Sequence, residues 1–173
     1  RKITIQYLNL FLKNVETVSW SKDPFRQAMF IDKLRGEALG LRALNMYYLL
    51  RNHGGWTSSG ELLGVPIILE PEGVESDFNQ PRASFQACVE QIYADIDEAM
   101  KLLPFDYVQL TDDNDVPQRY KEIGVKYAQE YNAVFGDSFS GRMSGRIAQT
   151  IKALVALLAA SPAFAAGTDV TYE

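Results

Sequence analysis

The stretch between Asp23 and Gly55 limits the possible folds of this chain more than any other feature. It opens on Asp23-Pro24, an N-cap residue followed by the residue type whose fixed φ suits the first helical position, and it closes at His53-Gly54-Gly55. Between these ends Ile31, Leu34, Ala38, Leu41, Leu44 and Tyr48 recur at steps of three and four, the period of one helix face. At 1.5 Å per residue the predicted helix is about 45 Å long. A rod of that length buries its apolar stripe only if other helices run back along it. Lys33 and Glu37, four apart, read as a pair on its outer, solvated face.

Three further segments have helical period. Ile3 to Val15 places Ile3, Tyr7 or Leu8, Phe11 and Val15 on one stripe, and it begins with no cap, as if the chain were cut just ahead of or inside a helix. A third helix follows Pro81-Arg82-Ala83 with Ser84 as N-cap, carries Phe85, Val89, Ile92, Ile96, Ala99 and Leu103, and stops at Pro104. A fourth, capped near Ser144, carries Ile147, Ile151, Leu154 and Leu158 as far as Ser161-Pro162, and its alanines would let another helix approach closely. The predicted class is all-α: antiparallel helix pairs of tetratricopeptide type with long irregular loops, in a single segment spanning residues 1–173.

The loops fall at about 56–80 and 105–140. The first is rich in Gly, Pro and Ser, with one extended apolar piece, Val65 to Leu69. The second contains a possible helix from Gln118 to Phe135, interrupted by Gly124. Connections of this size within a domain often carry function.

Composition narrows the classes. A hydrophobic content of 47% in 173 residues supports one domain with a substantial core. The net charge of −5 argues against nucleic-acid binding, which wants a basic face. A single cysteine, Cys88, permits no intrachain disulfide and no zinc spacing, and leaves the redox compartment open. Arg1 to Ile5 lacks the apolar stretch and cleavage site of a signal peptide. The most apolar run, Ile147 to Ala166, is broken by Gln149, Lys152 and Pro162 and reads as a buried helix rather than a membrane span.

Candidate chemistry is sparse. His53 is the only histidine, and at a helix C-terminus it more simply meets the last carbonyls than serves as a catalytic base. Gly136 to Arg142 approaches a phosphate loop but lacks its Lys and Ser/Thr; Arg142 and Arg146 read as surface or interface residues rather than an anion site. Asp112-Asp113-Asn114-Asp115 fails the calcium-loop pattern and reads as a solvated turn. Glu37, Asp95, Asp97 and Glu98 read as outer-face charges, since no spacing marks an acid/base pair. No metal, cofactor or catalytic residue is expected.

Four segments taken in order resemble the N-terminal half of SusD/RagB-type proteins. They are Arg1-Lys2-Ile3 through Asn9-Leu10-Phe11-Leu12; Arg35-Gly36-Glu37-Ala38-Leu39 through Tyr47-Tyr48-Leu49-Leu50 to Gly64-Val65-Pro66; Pro81-Arg82-Ala83-Ser84 through Asp95-Ile96-Asp97-Glu98-Ala99 to Leu102-Leu103-Pro104; and Gly141-Arg142-Met143 through Leu157 to Ala160-Ser161-Pro162. The sequence departs from the family pattern at Trp56 to Leu63 and at Phe105 to Ser140, which intervene where the family usually passes directly to the next conserved piece.

The resemblance implies a non-enzymatic lipoprotein on the outer leaflet of the outer membrane, facing outward. It implies a lipid-modified cysteine upstream, a ligand-contacting region downstream and a SusC-like TonB-dependent transporter as partner. Its ligand would be a glycan or, in RagB-like members, a peptide. Sugar rings stack on flat apolar faces while their hydroxyls meet amides and carboxylates. That chemistry selects Trp56, Tyr107, Asn114 and Tyr120 as ligand-binding candidates, with Tyr127, Tyr131 and Asn132 beside them. The alternative for each ring is packing over the core beneath a loop. Other classes stay open: a helical-repeat adaptor whose only ligand is a protein, or, least supported, an enzyme.

Overall fold

The computed structural model describes residues 2–168; Arg1 of the first resembling segment and residues 169–173 at the end of the predicted span lie outside the described residues. Its axis is α2 (Pro24–His53). Asp23 Oδ1 accepts from the backbone N–H of Phe25 at 2.8 Å and of Arg26 at 3.2 Å, satisfying donors that a helix start leaves free. At the far end Arg82 donates to the His53 carbonyl at 2.7 Å, so a guanidinium from another segment meets the last carbonyl, the role expected of the His53 ring.

Helix α1 (Lys2–Asn14) runs antiparallel to α2: Ile5 lies by Met46, and Asn9 accepts from Arg42 at 2.9 Å. Beyond the end of α1, Glu16 meets Arg35 at 2.6 Å. Helix α3 (Phe85–Leu102) returns along the other side, with Phe85 beside Gly54, Asp95 on Arg42 and Leu103 against Gly36. Helix α6 (Gly145–Ala159) runs antiparallel to α3: the Gly145 N–H donates to the Pro104 carbonyl, Lys152 bonds Asp97 at 2.6 Å, and Phe164 stacks on Phe85 at 4.6 Å. The antiparallel all-α array is therefore present as predicted.

The stripe expected on α3 is the buried one, with Phe85, Ile92, Ile96 and Ala99 fully enclosed. Together with Ala43, Met46 and Leu50 of α2 and Ala148, Ile151 and Val155 of α6 it forms the main core. Burying each of the larger side chains contributes about 1.5–3 kcal/mol.

Four expectations are corrected. On α1 the exposed residues are Ile3 and Tyr7, while Ile5 and Asn9 face inward. Asn9 is inside because its amide donates to the carbonyls of Ile68 and Glu70, and a polar residue on the inner stripe conceals the period. On α6 Ile147 and Leu154 are exposed, and the inner face is Ala148, Ile151, Val155 and Ala159, whose small members permit the close approach to α3. Lys33 and Glu37 are not solvated at all: they are 2% and 7% exposed. Asp95 is buried as well, whereas Asp97 and Glu98 stay outside.

The first connection forms a short antiparallel hairpin, β1 (Gly55–Trp56) with β2 (Leu62–Leu63), turned through Gly60 at φ +83°. The chain then runs along α1, where Gln6 and Asn9 bond the backbone of Ile68, Glu70 and Glu72. In the second connection Gly124, at φ +114°, ends α4 (Gln118–Ile123), and α5 (Ala128–Phe135) follows. The one predicted helix is thus two, because a left-handed residue terminates the first. These two helices close a second core around Met29, Tyr107, Val116, Tyr120, Val125, Tyr131, Val134 and Phe135 on the N-terminal half of α2.

Candidate functional site

Two buried ionic groups on α2 hold the irregular segments in place. Residues 37 and 42 lie about 140° apart around a helix, so they address opposite sides. On one side Arg42 forms a bidentate pair with Asp95, both bonds 2.7 Å long, and also reaches Asn9. Asn9 in turn holds the extended chain through the Ile68 and Glu70 carbonyls. On the other side Glu37 accepts from both arms of Arg142, and the hydrogen bond to Glu37 raises the Arg142 pKa. Lys33, about 40° from Glu37, donates to the Val134 carbonyl at 2.8 Å and lies over the Phe139 ring. Burial draws its pKa down to about 8, with Glu37 opposing and Arg142 reinforcing the shift.

The four predicted ligand contacts do not converge. Trp56, on β1, is 49% exposed. Its Nε1 donates to the Ala163 carbonyl at 2.7 Å, which pins one edge of the indole. The hairpin tip beside it is polar: Thr57 Oγ1 and Ser59 Oγ are 2.8 Å apart, and Ser59 reaches Glu61. The ring is therefore fixed, half in water, next to hydroxyl and carboxylate groups.

Tyr107 and Tyr120 are at the other end of α2; the rise of the helix from Glu37 to His53 alone is roughly 24 Å. Both are in the second core, at 6% and 3% exposure. The Tyr107 hydroxyl is 3.0 Å from the Met143 carbonyl and 3.2 Å from Glu37. The Tyr120 hydroxyl bonds Asp32 at 3.2 Å. Burial raises the pKa of both phenols, with the neighbouring carboxylates adding to it. For these two rings the structure has the packing arrangement. Asn114 is exposed in a single 3-10 turn, where its carbonyl accepts from Lys121 and its N–H donates to Asp112. In the same turn Asp113 accepts from the Ala128 N–H and so caps α5.

Phe105 was missed. It is 51% exposed, directly after the Leu103-Pro104 helix stop, and the signal for it was that very position: an aromatic outside every helical stripe. Arg142 and Arg146, read as surface or interface residues, are largely exposed and also fasten the second connection, Arg142 to Glu37 and Arg146 to Asp106.

An antiparallel array of helices, cross-braced by ionic groups and carrying half-exposed rings on its connections, defines a helical scaffold that presents loops. Residues 2–116 match a SusD-like family described as starch-binding and associating with the outer membrane, and the chain belongs to that family. A search of curated proteins finds no match. Among solved structures, a SusD-like protein from Bacteroides fragilis aligns at TM-score 0.61 and 19% identity over 90% of this chain and 22% of its own. A SusD superfamily protein from Bacteroides thetaiotaomicron aligns at TM-score 0.56 and 22% identity, covering 89% and 26%. A SusD-like carbohydrate binding protein from Bacteroides vulgatus aligns at TM-score 0.58 and 16% identity, covering 90% and 26%. The chain thus spans 22% to 26% of the length of these relatives, and at such identities the likeness establishes the fold.

Proposed function

We propose that residues 1–173 are the helical support of a larger nutrient-capture protein, held by a lipid anchor on the outer leaflet of the outer membrane and facing outward. It binds a glycan and passes it to a SusC-like TonB-dependent transporter, with no covalent chemistry. The observation that carries this reading is the family match over residues 2–116, to a family described as starch-binding. Trp56 is the ring contact proposed for it: an indole held in place yet half in water has a face for a sugar ring at little further entropic cost. Asn114, exposed on its turn, is the amide contact; Tyr107 and Tyr120 pack in the second core with Val116, which follows that turn.

The test is calorimetry of the intact protein against neutral oligosaccharides and peptides, with co-purification of the transporter. Trp56→Ala is expected to weaken glycan binding about tenfold, and Trp56→Phe less. If nothing in either panel binds and no transporter co-purifies, the reading fails. A second reading, a protein-only adaptor, draws on the outer face of α6, where Ile147, Leu154 and Leu157 are 37%, 39% and 59% exposed. It requires that Leu154→Glu abolish partner association while Trp56→Ala leaves function intact.

A further inference from the structure

We propose that the connection between α3 and α6 carries its own subsite for a neutral sugar ring, in the groove between Phe105 and Tyr131; this rests on the glycan-capture reading above. The groove has a volume of about 380 Å³, within the usual range of small-molecule sites. Three features give it the chemistry of such a ligand.

The first is a platform. Phe105 leaves 51% of its surface in water, a costly state for a large ring. The Arg146 guanidinium lies 4.6 Å from its centroid and donates to Asp106 at 2.8 Å and 2.5 Å. One cation thus fixes both the ring and the carboxylate beside it, and its charge is engaged.

The second is a hydroxyl left open to a ligand. Tyr131 lines the groove at 6% exposure, its ring stacked 5.0 Å from Phe135, and its hydroxyl makes no hydrogen bond with any described residue. Tyr107 and Tyr120 in the same core both have hydroxyl partners, so the open hydroxyl distinguishes Tyr131 among the three. A hydroxyl with no protein partner on the wall of a groove can exchange water for a ligand hydroxyl. Burial pushes its pKa up to about 12, so it stays an O–H that both donates and accepts.

The third is the rim. Asp115 lines the groove with a carboxylate that bonds no described residue. Asp106 and Asp115 together accept from ligand hydroxyls and repel anions. A lysine or arginine side chain would meet the Arg146 guanidinium behind the same ring. What fits is a neutral ring with one C–H face for Phe105 and hydroxyls for Asp115 and Tyr131.

The experiment uses the intact protein with 13C-labelled phenylalanine and tyrosine rings, the two signals being assigned through Phe105→Ala and Tyr131→Phe. It is titrated with glucose, galactose, mannose, maltose and cellobiose, and separately with an arginine-rich peptide; oligosaccharide binding by the whole protein is followed by calorimetry. Saturable movement of both ring signals by a neutral sugar is expected. Affinity at the groove should fall about two- to tenfold in Tyr131→Phe and about tenfold or more in Phe105→Ala. If calorimetry shows oligosaccharide binding while neither signal moves, the subsite is wrong and the capture reading stands. Movement by the peptide alone overturns the choice of ligand. If no sugar binds anywhere, the capture reading fails and the subsite falls with it.

Discussion

Replacing Lys33 with methionine probes the least expected feature of the fold, a lysine at 2% exposure in the middle of the longest helix. Its pKa falls from 10.5 to about 8, first because burial disfavours the charged form and then because Arg142 is close, against the pull of Glu37. Between pH 8 and 10.5 the unfolded chain therefore binds this proton more tightly than the folded one. Stability rises with pH across that window, and the full penalty is present below it. At about 1.4 kcal/mol per pH unit the penalty is on the order of 3 kcal/mol. Methionine removes it but gives up the hydrogen bond to Val134, about 1 kcal/mol; the attraction of the charged amine for the Phe139 ring belongs to the charged form and is already within that penalty. The variant should be more stable than wild type by about 2 kcal/mol at pH 7 and less stable by about 1 kcal/mol above the window, where the lysine is neutral. Urea denaturation followed by far-ultraviolet circular dichroism at intervals from neutral to alkaline pH measures this, since other titrating groups cancel in the difference. A difference that stays flat with pH refutes the assignment of a charged, desolvated Lys33.

The Arg42–Asp95 pair is buried and bidentate, so Arg42→Met, which strands the carboxylate, should cost about 3–5 kcal/mol, while Arg42→Met with Asp95→Leu recovers a large part of it; chemical denaturation of the two variants decides. Gly124→Ala places a Cβ 2.7 Å from the Phe25 ring at φ +114° and should lower stability by at least about 1–2 kcal/mol, read as a lower melting temperature with proteolysis appearing first between α4 and α5. Asp106→Asn loses the charge that holds Arg146, an exposed pair, so the urea midpoint should stay where it is while the groove signal of Phe105 broadens.

Legibility from sequence followed the strength of the local signal. The stripe of α3 was read correctly because its cap, its period and its proline stop all agree, and every residue on it is apolar. On α1 and α6 the predicted stripe meets the buried face only in part, at Val15 and Ile151, because each helix has two candidate stripes. On α1 the true one contains Asn9, whose inward position depends on carbonyls some sixty residues away. Among the proposed ligand contacts, Trp56 and Asn114 were placed on the surface and Tyr107 and Tyr120 inside, although all four lie in loops by sequence. Loop position does not decide exposure; whether a second core forms beneath the loop does.

Caps, periodicity and breakers, all local in the chain, determined by themselves that this protein is a set of antiparallel helices joined by two long connections. That followed from the Asp23-Pro24 start, the Ser84 and Ser144 caps and the length of α2, because these act within a few residues. The tertiary structure alone decided that Lys33, Glu37, Arg42 and Asp95 belong inside. A charged residue on a helix is read as outward unless a partner is known, and the partners here, Val134, Arg142 and one another, are brought in from other parts of the chain. Burial of charge is decided by the energy of a completed pair, and a pair exists only after the helices have met.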